Sequence, residues 1–260
     1  MKLYVDAGNT RTKWRLADGR EGAVASDDIS GMGRSLASLA GIVTSVFVCS
    51  VLGEAFNRRL EALCGQLFGV PPRFARVEQG VLDIVPAYEQ LDTLGVDRWL
   101  GLVFARSHAK SQCSVVVGAG SALTVDLLDA QACHLGGWIA PGCASVEAAL
   151  GGKVQFARSE AYLKALQSDG ALTPPQTSAF GSSTVACVQG GVDAMIRGFL
   201  QQVIACAGAE FGGREAVYFL AGGDSPRVEA MLRELDPNLK LVLSPAIVLD
   251  ALVLWSEWCA

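Results

Sequence analysis

The chain has 260 residues, 51% of them hydrophobic, and a formal charge of −5 at pH 7. That much apolar material fills one large core or two small ones. The mild acidity, with no Lys/Arg run and no basic helix face, argues against a broad nucleic-acid or anionic-membrane surface, while leaving room for a small anionic substrate held by a few local cations. The apolar run at the N-terminus, Leu3-Tyr4-Val5, ends at Asp6 and is too short for a signal-peptide core. No uninterrupted apolar stretch approaches the roughly 20 residues that span a bilayer. The eight cysteines include no C-x-x-C pair, and most lie in apolar contexts such as Val48-Cys49 and Ala186-Cys187-Val188. They read as reduced thiols of a cytoplasmic protein. The two histidines, His108 and His134, pair with no cysteine cluster, which argues against a zinc site.

In chain order, Leu3 to Val5 reads as a short strand, followed by a Gly turn and an alternating strand from Thr12 to Leu16. Ser45 to Cys49 is a buried strand. Ala55 to Leu67 carries Phe56, Leu60, Leu63 and Leu67 at helical spacing, and Val96 to Ala109 is a second apolar helix. A new block opens near Ser114, so domains are expected at 1–112 and 113–260. Its strands are Val115 to Val117, Ala122 to Leu127 and His134 to Ile139. A loop is expected from Ser168 to Ser183 and a long helix from Thr184 to Ala207. Val217 to Leu220 is a strand ending in Ala221-Gly222-Gly223-Asp224, with Ser225-Pro226 as N-cap and first turn of a helix. Pro245 to Trp258 closes the chain as an apolar helix.

One internal similarity organises these elements. Val5-Asp6-Ala7-Gly8-Asn9-Thr10-Arg11-Thr12 aligns with Val117-Gly118-Ala119-Gly120-Ser121-Ala122-Leu123-Thr124. Both read strand, Gly turn, strand, and each opens half of the chain. Two related α/β halves facing each other would hold a nucleotide's phosphates from both sides.

The first turn has the chemistry for this. Glycine lets backbone approach phosphate oxygens, and turn N–H groups with the Asn9 and Thr10 side chains can donate to them. Lys13 adds positive charge, and Asp6 can hold Mg²⁺ through water. The plain alternative is a hairpin with Gly at its bend. Gly95-Val96-Asp97-Arg98 is the second constellation. Asp97 can accept a hydroxyl proton as that oxygen attacks a γ-phosphate, and Arg98 can fork a carboxylate. Here the alternative is a helix-start acid beside a surface Arg. In the third, Gly136-Gly137-Trp138-Ile139-Ala140-Pro141-Gly142, glycines on a strand edge signal close backbone approach, of a ligand or simply at a tight corner. Walker A, G-x-G-x-x-G, H-E-x-x-H and G-x-S-x-G patterns are all absent.

Taken together, Asp6 to Lys13, Tyr88, Gly95 to Arg98, Gly118 to Thr124, Gly136 to Gly142, Thr184 and Gly222 to Asp224 resemble, in order and spacing, the type III pantothenate kinases, a family that also contains Bvg accessory factors. The resemblance implies an α/β fold of the acetate-and-sugar-kinase/Hsp70/actin type: two ribonuclease-H-like domains with ATP in the cleft. It implies phosphorylation of the pantothenate hydroxyl, the first step of coenzyme A synthesis. Asp6, Ala7, Gly8, Asn9, Thr10, Arg11, Thr12 and Lys13 would line the ATP phosphates, with Ser121 where the family has an ATP-contacting Thr. Asp97 would be the proton acceptor. Tyr88, Gly95, Val96, Asp97 and Arg98 would contact pantothenate, as would Thr184, from the partner protomer of a homodimer with a shared active site. ATP with Mg²⁺ is the implied cofactor. The family also uses K⁺ or NH4⁺, held by an Asp before its second Gly turn. Here that position is Gly118, which offers no carboxylate. Another kinase of this superfold acting on a sugar, and an ATP-binding regulatory protein, are the competing readings.

Overall fold

A computed structural model describes residues 1–153 and 180–258. Within them the chain forms two five-stranded sheets of the same topology. The first contains β1 (Lys2–Ala7), β2 (Arg11–Leu16), β3 (Glu21–Ala25), β4 (Ser45–Ser50) and β5 (Pro72–Phe74), in the order β3-β2-β1-β4-β5. The second contains β6 (Cys113–Ala119), β7 (Ala122–Leu128), β8 (His134–Pro141), β9 (Ala216–Ala221) and β10 (Lys240–Leu243), in the order β10-β9-β6-β7-β8. In each, the first three strands form an antiparallel meander and the last two add in parallel beside the first. The internal sequence similarity is thus a repeat of architecture. The β1–β2 ladder closes at Ala7↔Thr12 and the β6–β7 ladder at Ala119↔Leu123, so the two Gly turns occupy equivalent corners.

The helices are α1 (Ile29–Leu36), α2 (Glu54–Phe68), α3 (Val96–Ala109), α4 (Cys143–Lys153), α5 (Thr184–Glu210), α6 (Ser225–Leu235) and α7 (Ile247–Trp258). Three cores follow from their placement. Between the sheets, α3 and α7 bury Trp99, Leu102, Leu252 and Trp255 against Tyr4 and Phe47 of the first sheet and Val116 and Phe219 of the second. The far face of the first sheet is covered by α1 and α2, through Met32, Leu36, Leu60 and Cys64. The far face of the second is covered by α5 and α6, through Val192, Ile196, Leu200 and Leu232. The closing helix α7 therefore returns to the first half, against α3, β1 and β4. This suits its sequence, since a helix apolar nearly all round needs partners on several sides.

Most expected elements are present with ends shifted by a residue or two. One cap is corrected: Asp224, not Ser225, precedes the first helical residue of α6, so Pro226 lies one position further into the first turn. The closing helix starts at Ile247, two residues later than expected. Of the loop expected over 168–183, residues 168–179 lie outside the described residues.

Candidate active site

The two Gly turns meet. Thr10 Oγ1 and Ser121 Oγ, from the corners of the two sheets, lie 2.7 Å apart at an exposed position. The first turn is held from behind by Ser26, whose hydroxyl donates to the Gly8 carbonyl at 2.5 Å and lies 3.3 Å from Thr12 Oγ1. Asn9, Thr10 and Arg11 are exposed, whereas Ala7 and Thr12 are buried. The outward part of the turn is therefore the part free to meet a ligand, while the Thr12 hydroxyl is committed to the interior. The second turn is equally supported. The Ser121 carbonyl accepts from Gly142 N–H at 3.0 Å and from Ser145 Oγ at 2.6 Å. Gly142 packs so tightly here that a Cβ on it would lie 1.8 Å from the Gly120 carbonyl oxygen. The expected close approach in the Gly136 to Gly142 segment is backbone against backbone at this end.

Behind the first turn, Asp6 faces Lys13 across the β1–β2 ladder and Cys49 across the β1–β4 ladder. Burial pushes its carboxyl up to about 6; Lys13 pulls it down and the nearby Asp97 charge pushes it up further. Asp97, in the first turn of α3, is also raised by burial, partly offset by the Arg98 N–H that donates to its Oδ1 at 2.9 Å. Two desolvated carboxylates thus share the inner end of the cleft. The buried Cys49 thiol lies in their field and is pushed well above its ordinary value by burial and by both acids. It stays protonated and takes no nucleophilic part.

Arg98 forks a carboxylate, as read from the sequence, but one supplied by the protein itself. It is buried, not a surface residue, and Asp126 of β7 already occupies its fork: Nε donates to Oδ2 at 2.8 Å and Nη2 to Oδ1 at 2.6 Å. The remaining Nη1 donates to the Tyr88 hydroxyl at 3.0 Å. His134 of β8 completes the group, its Nε2 lying 3.0 Å from Asp126 Oδ1 and its ring stacked on Tyr88, centroids 6.0 Å apart. Tyr88, Gly95, Val96, Asp97 and Arg98 are therefore brought together. Thr184 is not among them. It is exposed at the start of α5 and lines a cavity of about 840 Å³ with Val146, Leu150, Ser183, Cys187 and Met195.

Sequence reasoning gave no role to Asp126, His134 or Ser26. The signal for Asp126 lay in the alternation of Ala122 to Leu128, where a carboxylate on a buried strand face demands a cationic partner. Among the described residues, no cluster of three or more His, Cys, Asp or Glu could hold a metal by itself. Mg²⁺ fits Asp6 nonetheless, because a cation there would offset the cost of a desolvated carboxylate, and phosphate oxygens and water complete such an ion's shell. A monovalent cation at Gly118 does not fit. That residue supplies no side chain, and a Cβ on it would meet Thr124 Oγ1 at 2.5 Å.

The architecture is similar to that of an archaeal actin homologue (TM-score 0.60, 13% identity, 100% of both chains covered). It is also similar to a putative 2-dehydro-3-deoxygalactonokinase from Sinorhizobium meliloti (TM-score 0.60, 13% identity, 99% of this chain and 96% of that one). The fold is that of the actin, Hsp70 and sugar-kinase superfamily. By sequence, the chain is 95% identical over 260 residues, the whole of both proteins, to a type III pantothenate kinase of Saccharophagus degradans. It is 32% identical over 239 residues, 90% of each, to one of Cellvibrio japonicus. With the family profile described as type III pantothenate kinase matching residues 2–206, the chain belongs to the type III pantothenate kinase family.

Proposed function

We propose that this chain transfers the γ-phosphoryl group of ATP to the hydroxyl of pantothenate, the first step of coenzyme A biosynthesis, with Asp97 as proton acceptor. The observation that carries the reading is the meeting of the two Gly turns, Thr10 Oγ1 and Ser121 Oγ lying 2.7 Å apart, with the desolvated Asp6 on the strand that leads into the first turn and within the field of Asp97. The reaction needs little covalent chemistry from the protein beyond placing acceptor, phosphate and charge. The exposed tips of the turns, Asn9, Thr10, Arg11 and Ser121, with the backbone of Gly8, cradle the phosphates. Lys13 offsets their charge, and Asp6 would hold Mg²⁺, which when bound would supply positive charge beside the transferred group. Asp97 takes the hydroxyl proton as that oxygen bonds to phosphorus and the bond to the β-phosphate oxygen breaks, releasing ADP. Tyr88, Gly95, Val96 and Arg98 seat the acceptor. Arg98 presents Nη1 beside the Tyr88 hydroxyl and not its filled fork, so a pantothenate carboxylate is met by that edge. Residues 1–112 and 113–260 are the two bodies around the nucleotide in this reading.

The deciding experiment is Asp97→Asn with pantothenate as acceptor. The variant should fold and bind ATP, with kcat lowered about 10²-fold or more, as for loss of a general base. Near-normal turnover refutes the role, and phosphorylation of a sugar in place of pantothenate refutes the substrate.

A homodimer with a shared site is part of the proposal. Leu135, Trp138 and Ile139 lie exposed along the edge strand β8, and Met195 is exposed on α5. Thr184, apart from the Arg98 group in its own protomer, would reach the acceptor of a second one. Activity recovered on mixing inactive Asp97→Asn and Thr184→Val chains tests this; no recovery in a mixed dimer counts against it. Among the described residues no helix is long and apolar enough to cross a membrane. A cytoplasmic setting, where ATP is available and thiols stay reduced, completes the reading.

A further inference from the structure

The β7–β8 hairpin of the second half does more than pair strands. Asp126 and His134 are 1% and 3% exposed, and both face α3 and the Tyr88 loop of the first half. His134 Nδ1 lies 3.4 Å from the Ala87 N–H and can only accept from it, so the ring proton sits on Nε2 and is donated to Asp126 Oδ1. The same hairpin ties down the loop that carries Tyr88. Val85 N–H donates to the Ala132 carbonyl at 3.0 Å, and His134 N–H donates to the Val85 carbonyl at 2.9 Å. One residue, His134, therefore touches both side chains expected to meet the acceptor: Tyr88 through its ring face, and Arg98 through Asp126.

The neighbouring glycine belongs to the same device. A Cβ on Gly137 would lie 2.6 Å from Asp126 Oδ1 and 2.7 Å from Arg98 Nη2. It would also lie 2.1 Å from the Val125 carbonyl oxygen, so the bare backbone here leaves room both for the β7–β8 ladder and for the ion pair. Asp126 takes three charge-assisted or neutral N–H donors and leaves Arg98 a single edge to present. Nothing in the phosphate cradle needs this arrangement, since neither Thr10 nor Ser121 touches it.

We propose that Asp126, oriented by His134 and given room by Gly137, is the positioning residue of the acceptor subsite. It fixes the Arg98 guanidinium so that its outer edge, with Nη1 beside the Tyr88 hydroxyl, is the edge left for the acceptor. This rests on the reading of Arg98 and Tyr88 as acceptor-binding residues. An unclamped Arg98 would still carry its charge, but would rotate among alternatives and lose the preorganised geometry.

The test is steady-state kinetics of Asp126→Asn and His134→Gln, with KM measured separately for pantothenate and ATP, beside Arg98→Lys as reference. Asn at 126 keeps the shape but loses the charge; Gln at 134 keeps an N–H donor but loses the stacked ring. Expected are a pantothenate KM raised about tenfold or more in Asp126→Asn, the scale of one charged hydrogen bond, and a smaller rise in His134→Gln. ATP KM and nucleotide affinity should stay near wild type in both. Adding Asp126→Asn to Arg98→Lys should cost less than it does alone, since the clamp then has no fork to hold. Equal rises in both KM values, or strict additivity with Arg98→Lys, would overturn the proposal as a merely structural effect. If Arg98→Lys leaves pantothenate KM unchanged, the acceptor-site reading itself fails. If Arg98→Lys raises that KM while folded Asp126→Asn and His134→Gln do not, the positioning role alone fails. Should Asp126→Asn not fold, His134→Gln decides: an unchanged pantothenate KM there overturns the proposal.

Discussion

The Asp6 carboxyl is raised from 3.8 to about 6, chiefly by burial, and this makes a site residue a liability to the empty protein. Between those values the folded chain binds more protons than the unfolded one, so stability falls as pH rises through that window and the full penalty applies above it. A shift of about two units amounts to at most about 3 kcal/mol, because Asp6 keeps some solvent contact. Asn at this position mimics the protonated acid. Asp6→Asn should therefore be more stable than the parent at pH 8, by up to about 3 kcal/mol, or roughly 5–10 °C in Tm for a chain of this size. At pH 4.5, where the folded carboxyl is protonated but most of the unfolded one is not, the same relation leaves about 1 kcal/mol. Thermal melts of both proteins at the two pH values, without nucleotide and with a chelator, measure this. Added Mg²⁺ and a non-hydrolysable ATP analogue should shrink the gap, because they favour the ionised parent. A variant no more stable than the parent at pH 8, or a gap independent of pH, would refute the idea that desolvation of Asp6 is what the nucleotide and its metal relieve.

Because burial also raises Asp97, and a base must be ionised to act, kcat should fall on the acid side at a pH above the ordinary carboxylate range. A profile flat down to the normal range of an exposed Asp would contradict that environment. With Gly118 in place of a carboxylate and Thr124 filling the space beside it, activity should depend only weakly on K⁺ or NH4⁺. A saturable K⁺ requirement in cation-depleted buffer would place a cation elsewhere. Gly142→Ala, whose methyl would be driven into the Gly120 carbonyl, should destabilise the chain by about 1–3 kcal/mol and raise the KM for ATP more than that for pantothenate. Unchanged ATP kinetics in the folded variant would detach Gly142 from the phosphate turn.

The elements legible in the sequence were those with a strong period or a strong apolar run. Val96 to Ala109 and Ala55 to Leu67 bury a face along most of their length, and the central strands β1, β4 and β6 are nearly continuous apolar segments. The elements not foreseen, β3, β5 and β10, are short edge strands with few buried residues, so neither period nor hydrophobicity marks them. Helices α1 and α4 each carry two glycines, which weakens their propensity; tertiary packing supplies what the local sequence lacks. At the site, the motif residues that share a turn or a helix start were readable because their spacing is local. The clamp was not. Arg98, Asp126 and His134 are brought together by a sheet and a crossover, and no spacing rule joins a helix start to the middle of a strand 28 residues on.

Two of the contacts that bridge the halves at the site differ in kind, and this bears on how the cleft works. At the mouth, Thr10 and Ser121 share one exposed hydroxyl bond, worth about 0.5–1.5 kcal/mol at most. At the inner end, Arg98 and Asp126 form a buried, two-pronged ion pair, and parting them while either stays buried leaves an uncompensated charge, a cost of about 3–5 kcal/mol. A relative movement of the halves is therefore cheapest at the phosphate end and dearest at the acceptor end. On the proposed function, nucleotide would enter by parting Thr10 from Ser121 while the acceptor subsite keeps its shape, and the phosphates would replace the hydroxyl bond they displace. The acceptor would, on the same proposed function, meet a preorganised Arg98, Tyr88 and Asp97 before ATP binds, and the adjustment would fall on the turn tip, where Asn9, Thr10 and Arg11 are exposed.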